Sequence, residues 1–426
     1  MASSDIRRGQ TPSRGGKLPP AMRRTSIFVL FLIVFIDLLG FGMVIPLLPY
    51  YADQYGATAT TVGAVVAVYS LMQFFFSPVW GRLSDRVGRR PVLLISLTGS
   101  IAGYAIFAIA RSIPILFVSR IVAGIAAANI GTAQAYIADT TTRENRAKGM
   151  GLIGAAFGLG FILGPPLGGI LSHVGIAHGM HGNTLPGIAA ASLSATAWTV
   201  ALFVLGESRK PGAAPRIVRS KIPPQFDRRM WRLVLDRRVL SAVLLTLFLI
   251  VISFSSMETT VTLFGKDRFD FTPKDLGYFF GFMGVVVAMI QGGLIGRLTR
   301  ALGERTVVAI GTFSFMIGFA AVPFVPRPSL LYPAALLVAI GQGLCYPSLM
   351  SLVTKSSPSN QHGSVLGVSS SVSSLSRVLG PILGGTMYGI AAAKGAFLVA
   401  SGIALVAFVI AISIRRLPLN DDPAEL

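Results

Sequence analysis

Apolar runs of about 20 residues recur along this chain, and that is the length an α-helix needs to cross roughly 30 Å of hydrocarbon. No other feature constrains the fold as strongly, because a chain made of such runs must place most of itself in lipid. The 426 residues are 53% hydrophobic and 13% charged, whereas a soluble domain carries about 25% charge. The runs and their breakers predict twelve spans. In the first half they lie at about 27–48, 61–80, 91–110, 113–138, 147–170 and 188–206, and in the second at about 239–263, 276–297, 306–324, 330–353, 363–388 and 395–414. The expected fold class is an all-α polytopic membrane protein with twelve transmembrane helices in two six-helix bundles.

The two sets of six are copies. GRLSDRVGRR, Gly81 to Arg90, returns as GRLTRALGER, Gly296 to Arg305, an offset of 215. GPPLGG at Gly164 returns as GPILGG at Gly380, offset 216, and DQYGATATTVG at Asp53 returns loosely as DRFDFTPKDLG at Asp267, offset 214. Three matches in chain order at nearly one offset mark a duplicated half. An even number of spans per half keeps the halves parallel in the membrane, a relation seen in transporters.

The net charge of +20 raises the question of nucleic acid, and the distribution of the charge answers it. With both termini inside, the inner segments hold 29 of the 37 Lys and Arg residues and the outer segments hold 6. That asymmetry is the positive-inside pattern of a multi-pass protein in a plasma or inner membrane, and no nucleic-acid partner is expected. The predicted organisation is a disordered cytoplasmic tail over 1–26, a six-helix bundle over 27–206, a basic cytoplasmic linker over 207–238, a second bundle over 239–414 and a short tail over 415–426. No signal peptide is evident in the polar, basic start of the chain. The linker holds Pro211, Pro215, Pro223 and Pro224 and reads as a solvated connection, with a short amphipathic helix possible near Asp227 to Arg238. The single cysteine, Cys345, permits no intrachain disulfide. A monomer is expected.

Two Lys or Arg residues remain inside spans, Arg120 and Arg377, and two acids join them, Asp37 and Glu258. Charge in hydrocarbon is costly, so each is a functional candidate by default. Asp37 lies about ten residues into span 1, near the midplane at 1.5 Å per residue, and Arg120 reaches a similar depth in span 4. A carboxylate that meets an arginine in one state and a dry apolar setting in another can carry a proton; the competing structural role is a fixed ion pair that sets register. Glu258 sits among hydroxyls in SFSSMETTVT, and Arg377 follows a serine-rich stretch in span 11. Asp37, Arg120 and Glu258 are the candidate proton-coupling residues. Candidate cavity residues are Asp37, Gln73, Asn129, Gln134, Glu258, Gln342 and Arg377; the amides, with Gln291, serve equally well as helix–helix hydrogen bonds. His173, His178 and His181 lack zinc spacing, and no metal or cofactor is expected.

Span 5 carries a glycine pattern, with Gly151, Gly160, Gly164, Pro165, Gly168 and Gly169. Gly160, Gly164 and Gly168 form a stripe at i, i+4 and i+8. Small residues let helices approach closely in lipid, and the expectation is a sliding or gating seam between the halves, bent at Pro165.

The loop GRLSDRVGRR after span 2, together with the glycine–proline span 5, resembles the major facilitator superfamily, and more narrowly the twelve-helix drug–proton antiporters that include the tetracycline exporters. The likeness runs from DLLGFGMVIPLLP (Asp37 to Pro49) through SRIVAGIAA and YIADTT to GPPLGG. It implies two bundles around a cavity that opens alternately to each side. It implies a conformational-switch loop of Gly81, Asp85, Arg86, Gly88, Arg89 and Arg90, with Asp85 against the inner end of span 11. It also implies a charge network from Arg89 and Arg90 toward Asp139. Arg120 matches the family's buried arginine of span 4, Asp37 its acidic position in span 1, and span 5 its antiporter signature. Tetracycline exporters carry an aspartate in span 3 where this chain has Gly103. The expected function is secondary active transport: antiport of protons against small amphipathic organic compounds or drugs, with the proton gradient as energy source. The alternatives are an organic-anion carrier, uniport or symport, using Arg120 and Arg377, and a non-transport receptor or scaffold on the same fold. No nucleophile–base pair or phosphate loop suggests an enzyme.

Overall fold

The computed structural model describes residues 20–127, 130–141, 143–208, 227–358 and 361–416. Asn129, most of the basic linker and both tails lie outside the described residues. Among the described residues, eleven helices are long and apolar enough to cross a membrane. One of them, Ser364–Arg416, is 53 residues long and breaks at Ala391 and Ala392, where φ/ψ pass through −132°/22° and 50°/−157°. It therefore supplies spans 11 and 12, and the total is twelve. Where the sequence predicts a loop, the chain turns through two alanines with almost no unwound residues.

The remaining spans are Phe28–Gln54, Ala59–Val87, Arg89–Ile109, Ile113–Thr140, Gly151–Ala177, Thr184–Val204, Arg238–Phe269, Pro273–Leu302, Glu304–Phe324 and Pro328–Lys355, numbered 1 to 10. Several overrun the predicted limits. Span 7 continues to Phe269, where Asp270 ends it in the left-handed region at φ 52°, about one and a half turns beyond Phe264, the end of the apolar run. Span 8 begins with a capping box, Thr272 and Asp275 bonding each other's backbone N–H. Spans 1 and 7 are the most deeply buried of the set, whereas Phe203, Ile390 and Ile109 are largely exposed, as lipid-facing side chains should be. The described part of the linker forms one helix, Arg228–Asp236, capped by Asp227 Oδ1, which accepts from Arg229 N at 2.9 Å. Met230, Trp231 and Leu233 pack on the second half and Val234 is buried, so this helix docks on protein.

Glycines set how closely the spans approach. Gly160, Gly164 and Gly168 face span 1: a Cβ on Gly164 would stand 2.7 Å from Gly42 Cα, and one on Gly160 would stand 2.8 Å from Leu38 Cβ. The stripe therefore packs within the first half and does not form the seam predicted between halves. The seam lies one residue along. Gly169 meets Pro273 and Gly277 of span 8, and Gly281 and Gly284 of span 8 meet Pro166 and the carbonyl of Phe161. A proline at 165 cannot return a hydrogen bond to residue 161, so that carbonyl is free to face the glycines opposite.

The repeat reproduces this arrangement. Gly380 and Gly384 pack on Ile252 and Ser256 of span 7, while Gly385 meets Ala59 and Gly63 of span 2 and Pro381 O touches Gly63. These contacts lie at outer and middle depth. At the inner ends, where "inner" is the side of the basic loops, Gly81, Gly151, Gly154, Gly292, Gly293 and Gly296 have no atom within 4 Å of a would-be Cβ. Span 8 also carries a π-helical turn at Ile290–Leu294 there.

Candidate functional site

Asp37 is 7% exposed and accepts a hydrogen bond from Ser100 Oγ at 3.0 Å. Tyr104 stands beside it, its hydroxyl 3.4 Å from the Asp37 carbonyl oxygen, in space that Gly40 leaves open. Arg120 is fully buried. Its Nη2 donates to Ser119 Oγ at 2.9 Å and its guanidinium lies 5.1 Å from the Phe107 ring centre. Nε and Nη1 have no hydrogen-bond partner among the described residues. No ion pair joins Asp37 to Arg120 among the described residues, so the fixed pair considered from the sequence is not made in this state. Tyr104 and Tyr69 lie within electrostatic reach of both.

Tyr69 also connects this group to the second half, because Arg377 of span 11 is among the charges that act on it. Arg377 donates one long hydrogen bond, to Ser374 Oγ at 3.4 Å, and Glu258 feels its charge from span 7. Glu258 and Arg377 thus act on each other in the second half, whereas in the first half Asp37 and Arg120 are linked only through Tyr69 and Tyr104. Tyr69, Tyr104 and Ser100 complete the site, and sequence reading passed over all three. Gly103, where the family's exporters carry an aspartate, crosses span 4 so closely that a Cβ would stand 2.9 Å from Ala123 Cβ; an acid has no room there.

The predicted amides have mixed roles. Gln73 Nε2 donates to the Ala127 carbonyl at 3.3 Å, Gln342 is half-buried, and Gln134 and Gln291 are exposed. Gln73 acts with Trp80, which donates to the Ile125 carbonyl at 2.6 Å, and with Ser96, which donates to the Ala126 carbonyl at 2.7 Å. The first helix of span 4 ends at Ala126, and carbonyls at a helix end need outside donors. Three side chains from spans 2 and 3 supply them.

At the inner surface Arg89 joins Asp85 at 2.8 Å, Asp139 at 3.2 Å and Ser84 Oγ at 2.6 Å. The expected network toward Asp139 is present for Arg89. Arg90 departs from it and donates to the Leu202 carbonyl at 2.6 Å. Glu207, read from the sequence only as the start of the linker, accepts from the backbone N–H of Arg89 and Arg90 at 2.9 and 3.1 Å and so caps span 3. Gly88 is required at this corner: its φ is 104°, and any Cβ would strike Glu207. Asp85→Asn is expected to cut transport by roughly fivefold with insertion intact, since Arg89 keeps Asp139 as partner while the loop loses one of its charges; a helix-end or ion-pair contact of about 1 kcal/mol decides such a bias. Wild-type transport in vesicles matched for protein content would refute it.

At the outer surface the halves are latched. Lys266 of span 7 pairs with Asp53 at the end of span 1, and Lys266 Nζ lies 5.3 Å from the Tyr50 ring centre. Thr262 Oγ1 donates to the Pro46 carbonyl at 3.1 Å. A half-exposed ion pair is worth up to about 1 kcal/mol, so Lys266→Asp should raise outer opening by at most about fivefold, and adding Asp53→Lys should reverse it. Thiol labelling at Thr262→Cys reads this out, because the native Cys345 is buried. Equal labelling in the single and double variants would refute the latch.

Two bundles closed at one face around charge placed within the spans define a membrane transporter. The sequence comparisons agree. The Major Facilitator Superfamily model matches residues 30–298 and 288–425, and the chain belongs to that superfamily. It is 34% identical over 366 residues to the class G tetracycline resistance protein of Vibrio anguillarum, covering 84% of this chain and 89% of that protein. It is 30% identical over 370 residues to multidrug resistance protein 2 of Bacillus subtilis (strain 168), covering 86% and 89%. Among solved structures, the human organic anion transporter MFSD10 (TETRAN) matches at TM-score 0.67 and 27% identity, covering 92% of this chain and all of that one. A bacterial homologue of the human lysosomal transporter Spinster, in an inward-facing, occupied conformation, matches at TM-score 0.78 and 13% identity over 94% and 98% of the two chains.

Proposed function

We propose that this protein exports small amphipathic organic compounds in exchange for protons. The observation that carries the reading is the setting of Asp37. It is buried near mid-depth with one neutral hydroxyl donor and no ion pair, so taking up a proton breaks no salt bridge. Arg120, which shares the neighbours Tyr69 and Tyr104 with it and has two nitrogens without a partner among the described residues, is available to favour the charged form when the packing brings the two together. A cation and a proton then compete for one carboxylate, the simplest basis for antiport. Similarity to tetracycline and multidrug resistance proteins supports drug-like cargo, while the absence of room for an acid at Gly103 argues for cargo other than tetracycline. The plasma or inner membrane, with both termini cytoplasmic, is the location that fits the basic inner loops.

The test is a susceptibility screen across drug classes in an efflux-deficient host, followed by proton-flux measurement in inverted vesicles with each protective compound. Export predicts protection against at least one amphipathic drug class, with protons moving opposite to cargo. A second reading rests on Arg377, whose guanidinium has one long hydrogen bond in the second half and would suit a carboxylate or sulfonate on the cargo; the human organic anion transporter is the relevant structural relative. Absence of protection, with saturable uptake of an organic anion lost in Arg377→Gln, would select it.

A further inference from the structure

The contacts that close the outer face advance in steps of four residues, and on two helices the next step carries a charge. On span 7, Lys266 pairs with Asp53 and Thr262 donates to the Pro46 carbonyl, both across the halves. Glu258 comes next on that face, one turn further in. On span 11, Gly385 meets Ala59 and the Pro381 carbonyl touches Gly63, again across the halves. Arg377 comes next on that face, one turn further in. Residues four apart share a helix face, so both side chains turn toward the first half directly below the closed seam. Thr262 and Pro381 are buried, whereas Glu258 and Arg377 are half-buried. The space between the halves therefore begins at these two residues.

Neither charge is satisfied there. The backbone carbonyl of Glu258 accepts from Thr262 Oγ1 at 3.3 Å, but its carboxylate has no donor and no ion pair among the described residues. Arg377 has only the 3.4 Å bond to Ser374 Oγ. Each feels the charge of the other without meeting it. A carboxylate only accepts and a guanidinium only donates, so a cationic cargo leaves Arg377 unmet and an anionic one leaves Glu258 unmet. Building on the export reading, we propose that Glu258 and Arg377 hold the two ends of a zwitterionic cargo, an ammonium at Glu258 and a carboxylate or sulfonate at Arg377. Such a cargo meets both groups and leaves no charge uncompensated between the halves. The first half supplies aromatic surface for its body. The Phe41 ring lies 5.1 Å from that of Tyr69 and 5.9 Å from that of Phe161. Phe161 is 36% exposed and its carbonyl lies against Gly284 of span 8, so the three rings stand at the boundary between halves. Tyr69 lies within electrostatic reach of Arg377.

The experiment uses the purified full chain in a neutral detergent and one aromatic body in three charge forms. A piperazinyl fluoroquinolone acid is the zwitterion, its methyl ester carries only the cation, and its N-acetyl derivative carries only the anion. Binding is read from the fluorescence anisotropy of the quinolone. The zwitterion should bind about tenfold or more tighter than either derivative, the scale of one hydrogen bond to a charged group. Glu258→Gln should lower its affinity to that of the N-acetyl derivative, whose own binding is unchanged. Arg377→Gln should lower it to that of the ester, whose own binding is unchanged. The unchanged form in each case shows that the variant is folded. Equal affinity for the three forms, no saturable binding of any of them, or a loss in either variant that spares no form would overturn the two-charge site. Tight binding of the ester alone would overturn it and leave export of cations standing; tight binding of the N-acetyl derivative alone would overturn it in favour of the organic-anion reading. Failure of the export reading shows separately, as absence of protection across the susceptibility screen.

Discussion

Asp37→Asn is expected to abolish proton-driven uptake into inverted vesicles, by roughly tenfold or more, while leaving exchange of cargo for cargo within about threefold of the parent; a tenfold loss corresponds to about 1.4 kcal/mol. The argument is one of inventory at mid-depth. Among the described residues, the buried acid near the middle of the membrane is Asp37, with Ser100 as its neutral donor; Glu258, half-buried under the field of Arg377, lies further out in span 7. A proton crossing the barrier needs a group that can hold it in both open states. Asparagine keeps the shape and can still accept from Ser100 Oγ, but it cannot gain or lose the proton. The packing seams between spans 5 and 8 and between spans 2 and 11 are untouched by this change, so cargo exchange is expected to continue. Glu258→Gln should instead alter cargo affinity. If Asp37→Asn retains a normal response to the gradient, or if Glu258→Gln alone removes it, proton coupling belongs to the second half. The serine offers an internal check: Ser100→Ala removes the donor without removing the acid, so it should shift the pH at which uptake is half-maximal without abolishing coupling.

The sequence shows the buried charges because a charge in an apolar run is an anomaly that any reader notices. It does not show Tyr69, Tyr104 or Ser100, because hydroxyl residues are ordinary in such runs and their role depends on which way each helix is rotated. The same limit explains the misplaced seam. Periodicity says that Gly160, Gly164 and Gly168 share a face; it does not say which neighbour that face meets. Gly169, next in sequence, points about 100° away around the helix and meets the other half. Glu207 was hidden for a different reason. Its carboxylate caps a helix 118 positions earlier in the chain, and nothing local marks it. Spans and duplication, by contrast, are local or near-identical patterns and were legible, although several helices run one to two turns past the predicted limits and at Ala391 and Ala392 two common residues make a bend where a loop is expected.

Gly169→Leu and Gly164→Leu should therefore fail in different ways. Gly164 packs on Gly42 and Met43 within one half. A leucine there wedges spans 1 and 5 apart inside a bundle that must hold together in every state, at a cost of about 1–3 kcal/mol or more, so lower unfolding temperature and poor yield are expected. Gly169 packs on Pro273 and Gly277 across the halves, so opening of the outer face would separate this contact. A leucine there costs the outer-closed state and spares the outer-open one, where the surface is free. The fold should survive, labelling at Thr262→Cys should rise roughly tenfold or more, and transport should fall by a comparable factor, as about 1.4 kcal/mol of bias would give. The duplication supplies a second pair for the same test. Gly380 packs within the second half on Ile252 and Ser255, and Gly385 packs across on Ala59 and Gly63. Gly380→Leu should behave like Gly164→Leu, and Gly385→Leu like Gly169→Leu. If all four variants lose stability alike, with no gain in labelling for the two that face across, the contact at Gly169 is ordinary packing and outer opening is controlled elsewhere.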